Sequence, residues 1–151
     1  MPGTISLQAL STAIESHAIG FYKTCLLKTN QFSTKYVLQR MIEHHKKHVR
    51  QLGSAITFDN ENVLNAGLIE AYHQNFDAAG MLSDADIENL NFVEATKLAI
   101  GLIKFQIEFY RRLHSQQEDP DLAKNIEAIL AVKADYIRDL ETESDRLSHR
   151  T

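Results

Sequence analysis

The side chains best suited to chemistry here are the histidines, and three of the seven fall in the run Glu43-His44-His45-Lys46-Lys47-His48. Imidazole suits first-row metals such as zinc, iron and copper. His44 and His48 have the i, i+4 spacing of a helical zinc pair, which would hold an ion on the outer side of its helix. The same run also reads as a solvated helix face, because Lys46, Lys47 and Arg50 surround it. His17, His73, His114 and His149 are scattered, and each reads as solvated. Cys25 is the only cysteine. No intrachain disulfide and no CxxC metal pair can form from it, and between Thr24 and Leu26 it reads as a packed thiol.

Any site must be positioned by elements that the sequence can build. The 151 residues include 44% hydrophobic, 24% charged and only two prolines, the profile of one compact domain with a sizeable core. The net charge of −4 gives no basic field to neutralise phosphates, so no nucleic-acid partner is expected. No segment reaches the ~20 apolar residues of a membrane span. The N-terminus lacks a basic and then apolar leader pattern. A cytoplasmic location without a membrane partner is therefore the default expectation.

Apolar residues recur at helical spacing through most of the chain. The first helix is predicted at about Leu7–Lys28, with Ser6 as N-cap, and the second at about Ser33–Leu52, with Gly53 as a stop. A connection of roughly 30 residues follows, Ser54 to Ser83, with a short helix around Val63–His73. The third helix is predicted from a Ser83-Asp84 cap to about His114. Asp119-Pro120 opens a fourth, to about Arg146. β-branched runs and hairpin dipeptides are absent, so no strand is expected. Two short connections and one long one imply two helix pairs joined by a crossover.

The two pairs match each other at an offset of 88 positions. Phe21-Tyr22 falls on Phe109-Tyr110, Leu38 on Ile126, Met41 on Ile129, and Val49-Arg50-Gln51-Leu52 on Ile137-Arg138-Asp139-Leu140. One offset serves both helices of a pair without a gap, which points to internal duplication. A tyrosine in such a core buries its ring but needs a partner for its hydroxyl.

These Phe-Tyr doublets, the lead-ins Ala13-Ile14-Glu15 and Ala99-Ile100, and the register of His48 to Leu52 resemble the ferritin-like di-iron proteins, rubrerythrins in particular. The resemblance covers about Leu7 to Leu147. It implies an all-α, ferritin-like four-helix bundle with one long crossover between helices 2 and 3. That family carries Glu-x6-Tyr on one helix and Glu-x-x-His on the next, twice over. Residues three apart share a helix face, so both can reach one metal. Carried over, the first ligand glutamate falls on Glu15, seven before Tyr22. The first Glu-x-x-His falls on His45 and His48. In the second half the glutamate position is Ile103, seven before Tyr110, and the further carboxylate is Gln106. The second Glu-x-x-His falls on Lys133 and Tyr136.

The resemblance thus implies a degenerate dimetal site. Isoleucine cannot ligate, and a charged lysine repels a dication, so a full di-iron centre is not expected. Glu15, His45 and His48 form a two-imidazole, one-carboxylate set suited to a single Fe or Zn ion. Lys133 would supply positive charge in place of the second ion, with Tyr136 as weak ligand or hydrogen-bond donor. The metal-free alternative is a bundle with a structural or protein-interaction role, its core closed by a Glu15–Lys133 ion pair. The resemblance also implies a homodimer. No reaction or substrate follows from the residues.

Overall fold

The structure is a computed structural model that describes residues 3–54, 63–78 and 84–148. It is mostly helical, with two compact units, Met1–Leu90 and Asn91–Thr151. Among the described residues no helix is long and apolar enough to cross a membrane.

The first unit is built on a helical hairpin. Helix α1, Leu7–Lys28, starts where the Ser6 hydroxyl accepts the Ala9 N–H at 3.1 Å, which satisfies one of the orphan donors of the first turn. It ends as Thr29 turns extended and its N–H bonds the Cys25 carbonyl at 3.0 Å. Helix α2, Phe32–Ser54, follows after a three-residue turn. The two helices bury an apolar seam that includes Leu10, Ile14, Leu38 and Met41. Helix α2 continues through Gly53 to Ser54, so this glycine does not stop it where the sequence suggests.

A strap completes the unit. Strand β1, Thr4–Ser6, pairs antiparallel with β2, Val63–Asn65, with Ile5 opposite Leu64. No strand was expected, and the short helix predicted at Val63 begins instead at α3, Gly67–Ala78. The ribbon explains the shift: residues 63–65 are bonded as strand, and the Asn65 side-chain oxygen then accepts the Gly67 N–H at 2.8 Å. A side chain at position 67 would put its Cβ 3.1 Å from that oxygen, which favours glycine there. Helix α4, Asp84–Glu88, is a single turn. The Thr34 hydroxyl of α2 donates to the Leu90 carbonyl just beyond it.

The second unit is a plain helical hairpin. Helix α5, Phe92–Ser115, opens on a capping box: Asn91 accepts the Glu94 N–H at 2.8 Å and Glu94 accepts the Asn91 N–H at 3.3 Å. That reciprocal cap corrects the expected continuous third helix from Ser83-Asp84. The chain breaks at Asn89–Leu90 and restarts, and Ser83 itself lies outside the described residues. Helix α6, Pro120–Ser148, begins where Asp119 accepts the Asp121 N–H at 2.9 Å, as the Asp-Pro pair predicts.

The offset of 88 extends to burial. Helices α2 and α6 start at equivalent positions, Phe32 and Pro120. Every buried residue of α1, from Leu7 through Ile14, Glu15 and Tyr22 to Cys25, has a buried counterpart on α5 at the same offset. Thr34, Leu38, Met41 and His45 likewise correspond to buried Leu122, Ile126, Ile129 and Lys133.

Candidate metal centre

Glu15, His45 and His48 come together in the first hairpin. Glu15 projects from α1 into the seam, and His45 and His48 project from successive turns of α2. All three are buried. One carboxylate oxygen, Glu15 Oε1, lies 3.0 Å from His45 Nδ1 and 2.7 Å from His48 Nδ1. The Nε2 atoms of both rings are also buried. The His45 ring stacks on Tyr22, centroids 5.7 Å apart at 27°. Tyr22 is itself wholly buried and meets Phe21 edge-on at 5.6 Å. His44 is half-buried beside them, its centroid 5.2 Å from that of His45 and 6.4 Å from that of His48.

The equivalent positions of the second hairpin are filled differently. Ile103, at the position of Glu15, is buried, and so is Gln106 one turn on. The Lys133 ammonium, at the position of His45, donates to Gln106 Oε1 at 2.6 Å. Tyr110 is buried and meets Phe109 edge-on at 5.8 Å, as Tyr22 meets Phe21. Tyr136, at the position of His48, is half-buried.

Among the described residues, no group of three or more His, Cys, Asp or Glu side chains is arranged around a point that could hold a metal ion. The donor types still fit a metal. Two imidazoles and one carboxylate are ligand types that zinc and first-row transition metals take.

A second histidine cluster was not legible as such. His17 and His73, read as solvated, are half-buried and stacked on each other at 4.6 Å and 27°. Phe76 meets His17 edge-on at 4.7 Å and Tyr72 does so at 5.6 Å. Burial lowers the His17 pKa, the neighbouring His73 lowers it further, and Asp77 opposes them. Tyr72, His73 and Phe76 all lie on α3, so the missing signal was the docking of α3 on α1. His114 Nε2 lies within hydrogen-bond distance of Glu127 Oε1, 2.9 Å, at the surface. His149 lies outside the described residues. Burial pushes the Cys25 thiol up to about 11, as a packed and unreactive cysteine requires.

No family model matches the chain, and no curated protein or solved structure similar to it was found.

Proposed function

We propose that this chain is a ferritin-like, rubrerythrin-like four-helix protein whose dimetal site is degenerate, and that it binds one Fe or Zn ion through Glu15, His45 and His48. The observation that carries the reading is the convergence of two imidazole nitrogens on one carboxylate oxygen in a buried seam. The repeat of burial at offset 88 supports the bundle, since duplicated hairpins are its halves. Ile103 and Lys133 stand where the second half of the motif would need ligands, which argues against a second ion. Bound there, the ion would supply Lewis acidity or a one-electron couple, according to its identity. Glu15 and the two histidines would hold it, and Tyr22 would fix the plane of the His45 ring. A homodimer belongs to the same proposal through the family resemblance alone.

A second reading has its own support. Glu15 accepts hydrogen bonds from both histidines and Lys133 donates to Gln106. A metal-free bundle acting by association is compatible with these contacts. Elemental analysis of untagged protein, reconstituted with Fe(II) and with Zn(II), separates the two. The metal reading expects about one ion per chain, lost in His48→Ala while the helical circular dichroism persists. Less than about a tenth of an ion per chain in both preparations would overturn it and leave the metal-free reading.

A further inference from the structure

The turn between α1 and α2 ends in an apolar tip. Leu27 is 89% exposed and Phe32 is 88% exposed, on either side of Thr29–Gln31. Tyr36, one turn beyond Phe32 on the same helix, is also exposed, and Arg40 one turn further lies over its ring at 5.8 Å. Three large apolar side chains this exposed within one short stretch of chain around a single turn point to a contact surface.

Charge at the tip is one-sided. Between Ser16 and Ile42 the chain carries Lys23, Lys28, Lys35 and Arg40 and not one Asp or Glu, although the whole chain has net charge −4. The duplicated hairpin supplies an internal control. Shifted by 88, Leu27, Phe32 and Tyr36 fall on Ser115, Pro120 and Lys124. The equivalent stretch, 104–130, holds Lys104, Arg111, Arg112 and Lys124 against Glu108, Glu118, Asp119, Asp121 and Glu127. A helical-hairpin turn therefore does not itself require either the apolar residues or the cationic collar.

We infer that the α1–α2 tip docks on an anionic lipid surface, with Leu27 and Phe32 entering the interface and the four cations meeting headgroups. Cations near an anionic leaflet are each attracted to it, and aromatic rings favour the headgroup level. The three apolar side chains offer roughly 400 Å², about half of what one partner contributes to a standard protein interface. A bilayer needs no such area, because it accepts a small convex wedge. Pairing of two copies tip to tip would set four cations against four, which is unfavourable. This is a surface contact, distinct from the span that the sequence excludes, and it is independent of whether a metal is bound.

The chain has no tryptophan, so Phe32→Trp makes a reporter confined to the tip. Its emission should shift to the blue with vesicles containing about 30% phosphatidylserine and stay unchanged with phosphatidylcholine alone. In that background Leu27→Asp should weaken partitioning at least about tenfold. Lys28→Gln and Lys35→Gln should each weaken it about fivefold at low salt. Circular dichroism should be unchanged throughout, since Leu27 and Phe32 are exposed. An unshifted emission on anionic vesicles would overturn the inference, as would an equal shift on zwitterionic ones. A larger shift with soluble polyglutamate than with vesicles would also overturn it and assign the tip to an acidic protein.

Discussion

Two hairpins of one design hold opposite chemistry in their seams. At the same register, the first presents Glu15, His45 and His48 and the second presents Ile103, Lys133 and Tyr136. Both bury the position on the first helix and its partner on the second. Hairpin packing thus buries the first two positions in both copies and leaves their polarity open, while at the third His48 is buried and Tyr136 half-buried. A polar group placed there must bring its own partner, because an unpaired buried charge is expensive. In the first hairpin the partner of Glu15 is a pair of imidazoles from α2. In the second, the Lys133 ammonium finds Gln106, one turn past the position that Glu15 occupies in the first. The polar contact has moved along the seam while the apolar frame has stayed.

The largest effect should come from breaking the first seam. Glu15→Leu removes the acceptor shared by two buried imidazoles and should cost about 3–5 kcal/mol in urea unfolding. Ile103 shows that the register accepts an aliphatic side chain. Replacing the whole set, Glu15→Ile with His45→Leu and His48→Leu, should therefore recover most of that loss and abolish the proposed metal binding. If the triple variant is no more stable than Glu15→Leu, the two seams are not equivalent in packing. The second seam should respond less. Gln106→Leu removes one acceptor from a buried ammonium, a loss of about 2 kcal/mol. Adding Lys133→Met should restore stability to near the starting value, measured by the same denaturation. A double variant less stable than Gln106→Leu would show that Lys133 holds other contacts of greater weight.

What the sequence disclosed follows from the range of each signal. Helical periodicity is local, so α1 was legible to its ends, and Asp119-Pro120 located the start of α6. The pairing of Glu15 with His45 and His48 was implied only by the family resemblance, since the repeat at offset 88 relates the hairpins to each other and not α1 to α2. Events that depend on distant partners were not legible. The β1–β2 ribbon joins residues about 60 apart in sequence, and neither three-residue strand carries a periodic signal of its own. The capping box at Asn91-Glu94 is a local signal, but Ser83-Asp84 offered an earlier start. The stacking of His17 on His73 required knowing that α3 lies on α1. The exchange of Glu15 for Gln106 as the acceptor across the seam was likewise hidden. Spacing assigns a face of the helix, and the side chain's own length decides which turn it meets.

A smaller difference between the hairpins is the substitution of a thiol for an aliphatic group. Cys25 and Leu113 occupy equivalent positions and both are buried. Only the cysteine can ionise, and burial pushes its pKa from 9.0 to about 11. Folding therefore favours the protonated thiol. Its contribution is fully present below about pH 9 and is lost as pH rises towards 11, because the unfolded chain sheds that proton first. Replacing Cys25 by Ala should cost about 1 kcal/mol at neutral pH through the lost packing. It should also flatten the stability curve between pH 9 and 11 relative to the parent chain, while Leu113→Ala leaves that slope in place. At pH 8 the folded chain should resist iodoacetamide until denaturant is added. Rapid alkylation without denaturant would mean that the first hairpin opens at Cys25 far more often than its packing allows.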